Sequence, residues 1–159
     1  MQPDLFREAW GSFATGVSVI TSVQKDKIIH GMTANGIASI SLEPMLVMVS
    51  VGLNAHSHQI ITESKKYAIN ILSEDQIEIG KFFAKTNNET PQNIISQFYM
   101  SKNNSPFLHN SLASMDCNVI RTHLEGDHTI FIAEVTEIVV NNGNPLLFYK
   151  GNWGNLNKS

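Results

Sequence analysis

The sequence predicts a mainly β fold, a closed or split β-barrel of about six antiparallel strands with short flanking helices. Two observations lead to this fold class. Runs of β-branched and aromatic residues are separated by short turns rich in Gly, Asn and Asp, and every helical pattern between them is short. The length of 159 residues suits one domain with its own core, so residues 1–159 are predicted to form a single domain.

The N-terminal half contains helix and strand signals in alternation. Pro3 begins an amphipathic helix, and an almost wholly apolar run at 45–51 predicts a strand that is buried on both faces. Ser73 and Gln76 have the spacing of a capping box that opens a helix. In chain order, the predicted elements are a helix at 3–12, strands at 17–23, 28–32 and 45–51, a short helix through Ile60 and Ile61, a strand at 67–72 and a helix at 73–84.

The C-terminal half begins with a polar stretch and ends in strands. Residues 85–110 contain two prolines and many Asn and Ser residues, which predicts a surface excursion with one helical turn at 94–98. Alternating patterns predict strands at 116–124 and 129–140. An Asn-Gly pair at 142–143 predicts a hairpin into a last strand at 146–149.

Composition excludes several classes of function. The net charge is −3 and the basic residues form no stripe, so nucleic-acid binding is not expected. No apolar run approaches the roughly 18 residues that span a bilayer, and the N-terminus lacks the pattern of a signal peptide. Cys117 is the single cysteine, which excludes an internal disulfide and predicts a buried thiol. A cytoplasmic protein without membrane contact is expected.

The segment 31–44 is the first candidate site. It contains small residues and hydroxyls directly after a strand, where the backbone can approach a flat ligand closely. Side chains such as Thr33, Asn35, Ser39 and Ser41 offer neutral hydrogen bonds of the kind that a flavin edge accepts and donates. A plain polar turn between two strands is the alternative at this stage.

The bend at 54–57, with the sequence Asn54, Ala55, His56 and Ser57, is the second candidate site. It precedes a predicted helix, whose free N–H groups can hold a phosphate. An ordinary helix cap made by Asn54 is the alternative. The sequence contains neither a GxGxxG nor a GxxxxGK[ST] loop, so any dinucleotide binds without a Rossmann unit.

The histidines indicate neither a metal centre nor a hydrolase. His56 and His58 share a segment, but no third ligand follows at metal spacing. No GxSxG elbow and no Ser, His and acid order is found, and no catalytic residue is assigned. His128 differs from the others because its predicted position is a hairpin tip, where a side chain projects freely.

Together, these segments resemble the flavin reductase-like family, whose members have the FMN-binding split-barrel fold. The resemblance extends from Phe6 to about Trp153. It is carried by segments that occur in the family's order: FATGVSVIT at 13–21, GMTAN at 31–35, SIS at 39–41 with Pro44, YAINIL at 67–72, GDH at 126–128 and PLLFY at 145–149.

The resemblance implies an NAD(P)H-dependent flavin reductase that transfers hydride from NADH or NADPH to FMN or FAD and can supply reduced flavin to a separate monooxygenase. It also implies a homodimer with the flavin near the subunit interface. An FMN-binding electron-transfer protein, or a flavin-binding protein without nicotinamide turnover, is the alternative. By resemblance, the flavin ring and ribityl chain contact Thr33, Ala34, Asn35, Ser39, Ile40 and Ser41, the phosphate contacts Asn54, Ala55, His56 and Ser57, and the nicotinamide substrate contacts His128, Tyr149 and Trp153.

Overall fold

The computed structural model describes residues 2–85 and 90–156. The helices are α1 (Pro3–Gly11), α2 (His56–Ser64), α3 (Ile77–Phe83), which follows a 3-10 turn at Glu74–Gln76, and α4 (Gln92–Ile95). The strands are β1 (Thr15–Gly16), β2 (Ser18–Val23), β3 (Ile29–Ala34), β4 (Ile37–Leu42), β5 (Met45–Gly52), β6 (Lys66–Ile71), β7 (Phe98–Met100), β8 (Pro106–Leu108), β9 (Ala113–Glu125), β10 (His128–Val140), β11 (Leu147–Tyr149) and β12 (Asn152–Gly154).

The main sheet is a barrel that stays open along one line. Seven antiparallel strands pair in the order β3-β2-β6-β9-β10-β5-β4. The two edge strands, β3 and β4, are joined only by Asn35 and Gly36. Because each residue spans at most about 3.8 Å, the end of β3 and the start of β4 must lie close together. The sheet therefore curls into a barrel, although β3 and β4 do not pair with each other. The prediction of a mainly β split barrel is confirmed.

The barrel interior is lined by alternate residues of its strands. In β5, buried Val47, Val49 and Val51 alternate with more exposed neighbours, so the prediction that both faces of this strand are buried is wrong. The reason is that one face packs inside the barrel, while the other lies on its outside. Tyr67 and Phe131 fill the centre, and the Tyr67 hydroxyl donates to the Phe131 carbonyl at 3.3 Å.

A second apolar cluster joins α3 to the outside of the barrel. Ile79 and Phe83 of α3 pack with Val17, Val19 and other residues of this cluster. The approach of α3 to β3 is close: a Cβ added at Gly31 would lie 2.6 Å from the Phe83 ring. Only glycine fits at this position without a shift of the phenylalanine.

Three sequence predictions need correction. Strand β4 was not predicted, because its small and hydroxylated residues resemble a turn. The Asn-Gly pair at 142–143 does not connect paired strands: β11 pairs with β1 and β12 rather than with β10. The polar excursion at 85–110 is not confined to the surface, since it contains the buried strand β8; residues 86–89 of that excursion lie outside the described residues.

Two buried polar side chains attach the β7–β8 hairpin to the barrel. The Asp116 carboxylate accepts hydrogen bonds from Ser101 at 2.6 Å and from Ser105 at 2.8 Å. The Asn70 side-chain carbonyl accepts from the Leu108 N–H at 2.8 Å. The hairpin is therefore held by specific hydrogen bonds as well as by apolar packing.

The helices are all short. The longest, α1 and α2, have nine residues each. In the part of the chain that the structure describes, no helix has both the length and the apolar character required to traverse a membrane.

Candidate functional site

The end of β3 presents two different faces to its surroundings. Met32 and Ala34 pack against the barrel core, while the Thr33 hydroxyl points the other way and donates to the Gly80 carbonyl of α3 at 2.6 Å. The Ala34 carbonyl accepts from the Ser18 hydroxyl at 2.6 Å. These contacts fix the backbone of the first candidate segment where the barrel splits.

Beyond the split, β4 forms an open edge. Ser39 and Ile40 are exposed, and Ser41 is half-buried. Ile40 is the extra residue of a β-bulge, because Ser39 pairs with Val47 and Ser41 with Leu46. Among the described residues, the hydroxyls of Ser39 and Ser41 have no hydrogen-bond partner, so both are available to a ligand. β-Bulges at sheet edges often change the direction of a side chain next to a binding or active site.

An aromatic cavity of about 180 Å³ lies beside the end of β3. Phe148 of β11 and Trp153 of β12 contribute its aromatic side, with their ring centroids 5.3 Å apart. The Trp153 ring also approaches α3, where a Cβ added at Gly80 would lie 2.8 Å from it. The cavity is lined by Val17, Thr33, Ala34, Asn35, Ala84, Phe148 and Trp153.

A second cavity, of about 210 Å³, adjoins the first. We call it the bend cavity, since the whole bend from Asn54 to Ser57 lines it. Thr33 and Ala84 line both cavities, which are therefore neighbours along one groove. The groove joins the two segments that the sequence singled out.

The start of α2 within the bend cavity has no side-chain cap. Its N-cap residue is Ala55, and no side-chain cap hydrogen bond is formed there. The alternative in which Asn54 caps the helix is therefore not observed. The His58 N–H donates to the Ala55 carbonyl at 2.9 Å. The N–H groups of His56 and Ser57 are left for solvent or a ligand, and they lie at the positive end of the helix dipole.

Two histidines and a serine form a compact group in the bend cavity. His30 Nε2 lies 2.9 Å from the Ser57 hydroxyl, and the His30 and His56 rings are 4.7 Å apart. Burial, assisted by the neighbouring His56, lowers the pKa of His30 to about 4. His30 is therefore a neutral hydrogen-bonding group at neutral pH.

Two of the predicted nicotinamide contacts lie outside both cavities. His128 begins β10 at the hairpin tip, and its Nδ1 lies 2.7 Å from the Asp127 carboxylate. That bond holds the pKa of Asp127 below its ordinary value. Tyr149 is exposed at the end of β11. Of the three predicted contacts, only Trp153 lines a cavity.

Several cavity residues were missed by the sequence analysis. His30, Phe82, Phe83, Ala84, Lys85 and Thr90 all line the bend cavity. Most belong to α3 or follow it, and the packing of that helix against β3 depends on long-range contacts that no local pattern reveals. Lys85 is the cationic member of this set.

A groove at the opening of a β-barrel is a typical place for a small-molecule or cofactor site, so the fold and the groove indicate a small cofactor-binding protein. The family model for the flavin reductase-like domain matches residues 10–157, and the chain belongs to the flavin reductase-like family. The resemblance stated from the sequence is confirmed, and with it the reaction class, NAD(P)H:flavin oxidoreduction.

Named relatives agree with this assignment. An NADH-dependent flavin reductase from Rhodococcus sp is 35% identical over 152 residues, which cover 94% of this chain and 84% of the relative. The reductase component of a 4-nitrophenol 4-monooxygenase/4-nitrocatechol 2-monooxygenase from Rhodococcus opacus is 31% identical, covering 95% of this chain and 80% of the relative. The solved structure of flavin reductase PheA2 in its native state superposes with a TM-score of 0.91 at 42% identity, covering 99% of this chain and 100% of that one.

Proposed function

We propose that this protein oxidises NADH or NADPH, reduces a flavin bound in the groove at the split, and supplies the reduced flavin to a separate monooxygenase. The observation that carries the proposal is the groove itself, in which the aromatic cavity and the bend cavity share Thr33 and Ala84. An apolar, aromatic end next to a polar, cationic end fits a ligand that has a flat ring and a phosphate.

The aromatic cavity is proposed to hold the isoalloxazine ring. Phe148 and Trp153 offer flat surfaces, and the short side chains of Thr33 and Ala34 leave room beside the backbone. Asn35 lines this cavity, whereas Ser39, Ile40 and Ser41 line neither cavity and lie on the edge strand β4. All four are proposed to meet the ring edge and the ribityl chain. Much of this binding would come from the backbone, which the Thr33 and Ser18 hydrogen bonds hold in position.

The bend cavity is proposed to hold the flavin phosphate. The uncapped N–H groups of α2 and the Ser57 hydroxyl are suitable donors, and Lys85 supplies the charge. Asn54, Ala55 and His56 complete this wall. Neutral His30 keeps its contact with Ser57 and so positions that hydroxyl.

When bound, the flavin supplies the ring that accepts hydride from the nicotinamide. The chain's own part is to align the two rings, which removes much of the entropic barrier without a catalytic acid or base. His128, Tyr149 and Trp153 are the residues proposed to contact the nicotinamide substrate. For His128→Ala we expect a higher KM for NADH and an unchanged Kd for flavin; equal losses in both would indicate a structural role instead.

A homodimer is also proposed. Large apolar side chains remain exposed on α1, β4 and the β9–β10 hairpin, including Trp10, Leu42 and Leu124. A second copy of the chain would cover such a surface. Light scattering should report twice the 17.6 kDa chain mass, and a monomer at micromolar concentration with flavin bound would contradict the proposal. The single domain over 1–159 and the cytoplasmic location stay predictions.

The decisive experiment is a nicotinamide oxidation assay with purified protein. NADH and NADPH are each supplied with FMN, with FAD and without flavin. Absorbance loss at the nicotinamide band that requires flavin supports the reductase. Tight flavin binding without such oxidation would favour the alternative, an electron-transfer or flavin-binding protein.

A further inference from the structure

Gly80 lies in the middle of α3, a position at which glycine is less favourable than every residue except proline. It is buried, and it does not itself line the aromatic cavity. A Cβ added at Gly80 would lie 2.8 Å from Cζ3 and 3.1 Å from Cη2 of Trp153. Because glycine has no side chain, the six-membered ring of the indole can lie directly against the helix backbone.

The carbonyl of the same residue connects α3 to the β3 side of the aromatic cavity. It accepts the Thr33 hydroxyl at 2.6 Å and the Ala84 N–H at 3.0 Å. Thr33, Ala84 and Trp153 all line the cavity. Gly80 therefore contacts residues on both the β3 side and the aromatic side, and it acts as the spacer between them.

Close packing leaves the Trp153 ring little freedom at this position. Trp153 pairs with Phe148 between β12 and β11, and the two rings are 5.3 Å apart with an angle of 72° between their planes. Trp153 also packs against the apolar cluster that contains Leu72. A methyl group at Gly80 would meet Leu72 Cδ1 at 3.3 Å, which a small shift of that side chain relieves, but it would have to displace the tryptophan ring.

We infer that Gly80 is a positioning residue for hydride transfer, because it sets the width of the aromatic cavity by holding Trp153 at a fixed distance from Thr33. The inference rests on the proposed function, in which the reacting rings lie in or beside this cavity. Reacting rings must be closely aligned, and a displacement of about 1 Å can lower a rate roughly a hundred-fold. Gly80 lies outside the bend cavity, where the phosphate is proposed to bind, so flavin affinity depends less on it.

The variant Gly80→Ala tests the inference by adding one methyl group against the Trp153 ring. In the nicotinamide oxidation assay with FMN, we expect kcat to fall about ten-fold or more, while the Kd for FMN changes by about two-fold or less. Gly154→Ala is the matched control. It adds the same methyl group to the residue after Trp153, where no described atom lies within 4 Å of the added Cβ, and it should change neither value.

The position of the ring can be measured without flavin or nicotinamide. In a Trp10→Phe background, Trp153 is the only tryptophan of the chain. Its fluorescence emission should shift to longer wavelength in Gly80→Ala, because the displaced ring meets more water. Gly154→Ala should keep the emission of the background.

A second background, Trp153→Phe, separates an effect on the ring from an effect on the helix. Phenylalanine lacks the second ring of the indole, so Gly80→Ala should lower neither kcat nor the urea midpoint further in this background. Equal losses in both backgrounds would overturn the inference, as would an unchanged kcat or an unshifted emission in a folded Gly80→Ala variant.

The same pair of variants decides the question if Gly80→Ala alone does not fold. Gly80→Ala combined with Trp153→Phe should then fold as well as Trp153→Phe does, and its failure to fold would also overturn the inference. Absence of flavin-dependent NADH oxidation by the unmodified protein is a separate result, which contradicts the proposed function. The emission measurement would still show whether Gly80 positions Trp153.

Discussion

The barrel interior and the split differ in how completely their polar side chains are hydrogen-bonded. Inside, Asn70 donates to the Val19 carbonyl and the Thr21 hydroxyl, and its carbonyl accepts two further hydrogen bonds. At the split, the Ser39 and Ser41 hydroxyls have no partner among the described residues, and Asn35 has one contact at 3.3 Å, with Thr15.

This difference implies that the interior polar residues contribute mainly to stability and those at the split mainly to binding. A buried polar group that loses its partner is costly, so most buried side-chain groups of the described residues are paired within the chain; Ser111 Oγ and Asn118 Oδ1 are exceptions. Groups at an open edge are hydrated and exchange water for a ligand at little cost. Substitutions inside should therefore change the free energy of unfolding, and substitutions at the split should change flavin affinity.

The largest effect is expected for Asp116→Ala. Removal of the carboxylate leaves the buried hydroxyls of Ser101 and Ser105 without their acceptor, at about 1–3 kcal/mol for each. Urea unfolding monitored by circular dichroism should show a loss of several kcal/mol. Asp116→Asn, which keeps one oxygen acceptor, should lose less. Equal stability of Asp116→Ala and the unmodified protein would show that this network contributes nothing.

A large effect on binding alone is expected for Ala84→Leu. Ala84 is exposed and lines both cavities, so a longer side chain there enters the groove without disturbing the core. The Kd for flavin should rise more than about ten-fold with an unchanged unfolding curve. Thr62→Leu, at an exposed position of α2 that lines neither cavity, is the control. Normal flavin affinity in a folded Ala84→Leu variant would mean that flavin lies elsewhere.

A smaller effect is expected for Asn35→Ala and Ser41→Ala. Each removes one hydrogen-bonding side chain from a site built mainly of backbone, which should cost about 1–2 kcal/mol, or roughly ten-fold in the Kd for flavin. Titration of each variant with FMN measures this loss. Complete loss of binding in a folded variant would show that side chains rather than backbone dominate the site.

The local patterns of the sequence explain what could be predicted. Gly31 to Asn35 and the bend at 54–57 were found because small residues and helix starts have short-range signals. Strand β4 was missed because its hydroxylated residues resemble a turn when their pairing with β5 is unknown. Lys85 was missed because its position in the bend cavity depends on how α3 packs on β3, a contact between segments about 50 residues apart in the chain.

The smallest effect concerns His30, which belongs to the site but is partly buried like an interior group. Its folded-state pKa of about 4 lies below the ordinary value of 6.5. Between these two pH values, the His30 side chain binds a proton more often in the unfolded chain than in the folded protein. The free energy of unfolding therefore decreases as the pH falls from 6.5 to 4, and the contribution of His30 is constant below pH 4. The effect is modest because the half-exposed ring is screened by water.

His30→Gln should therefore flatten the pH dependence of unfolding. Without flavin, the urea midpoint of the unmodified protein should decrease from pH 6.5 to pH 4 more steeply than that of the variant. Contributions from Asp127 and Glu63, whose pKa values are also lowered, are common to both proteins and cancel in the comparison. His123→Gln, which removes an exposed histidine, should keep the steeper decrease. Identical slopes for His30→Gln and the unmodified protein would show that His30 has the same pKa in the folded and unfolded states. The bend cavity would then be as hydrated as the open edge of β4.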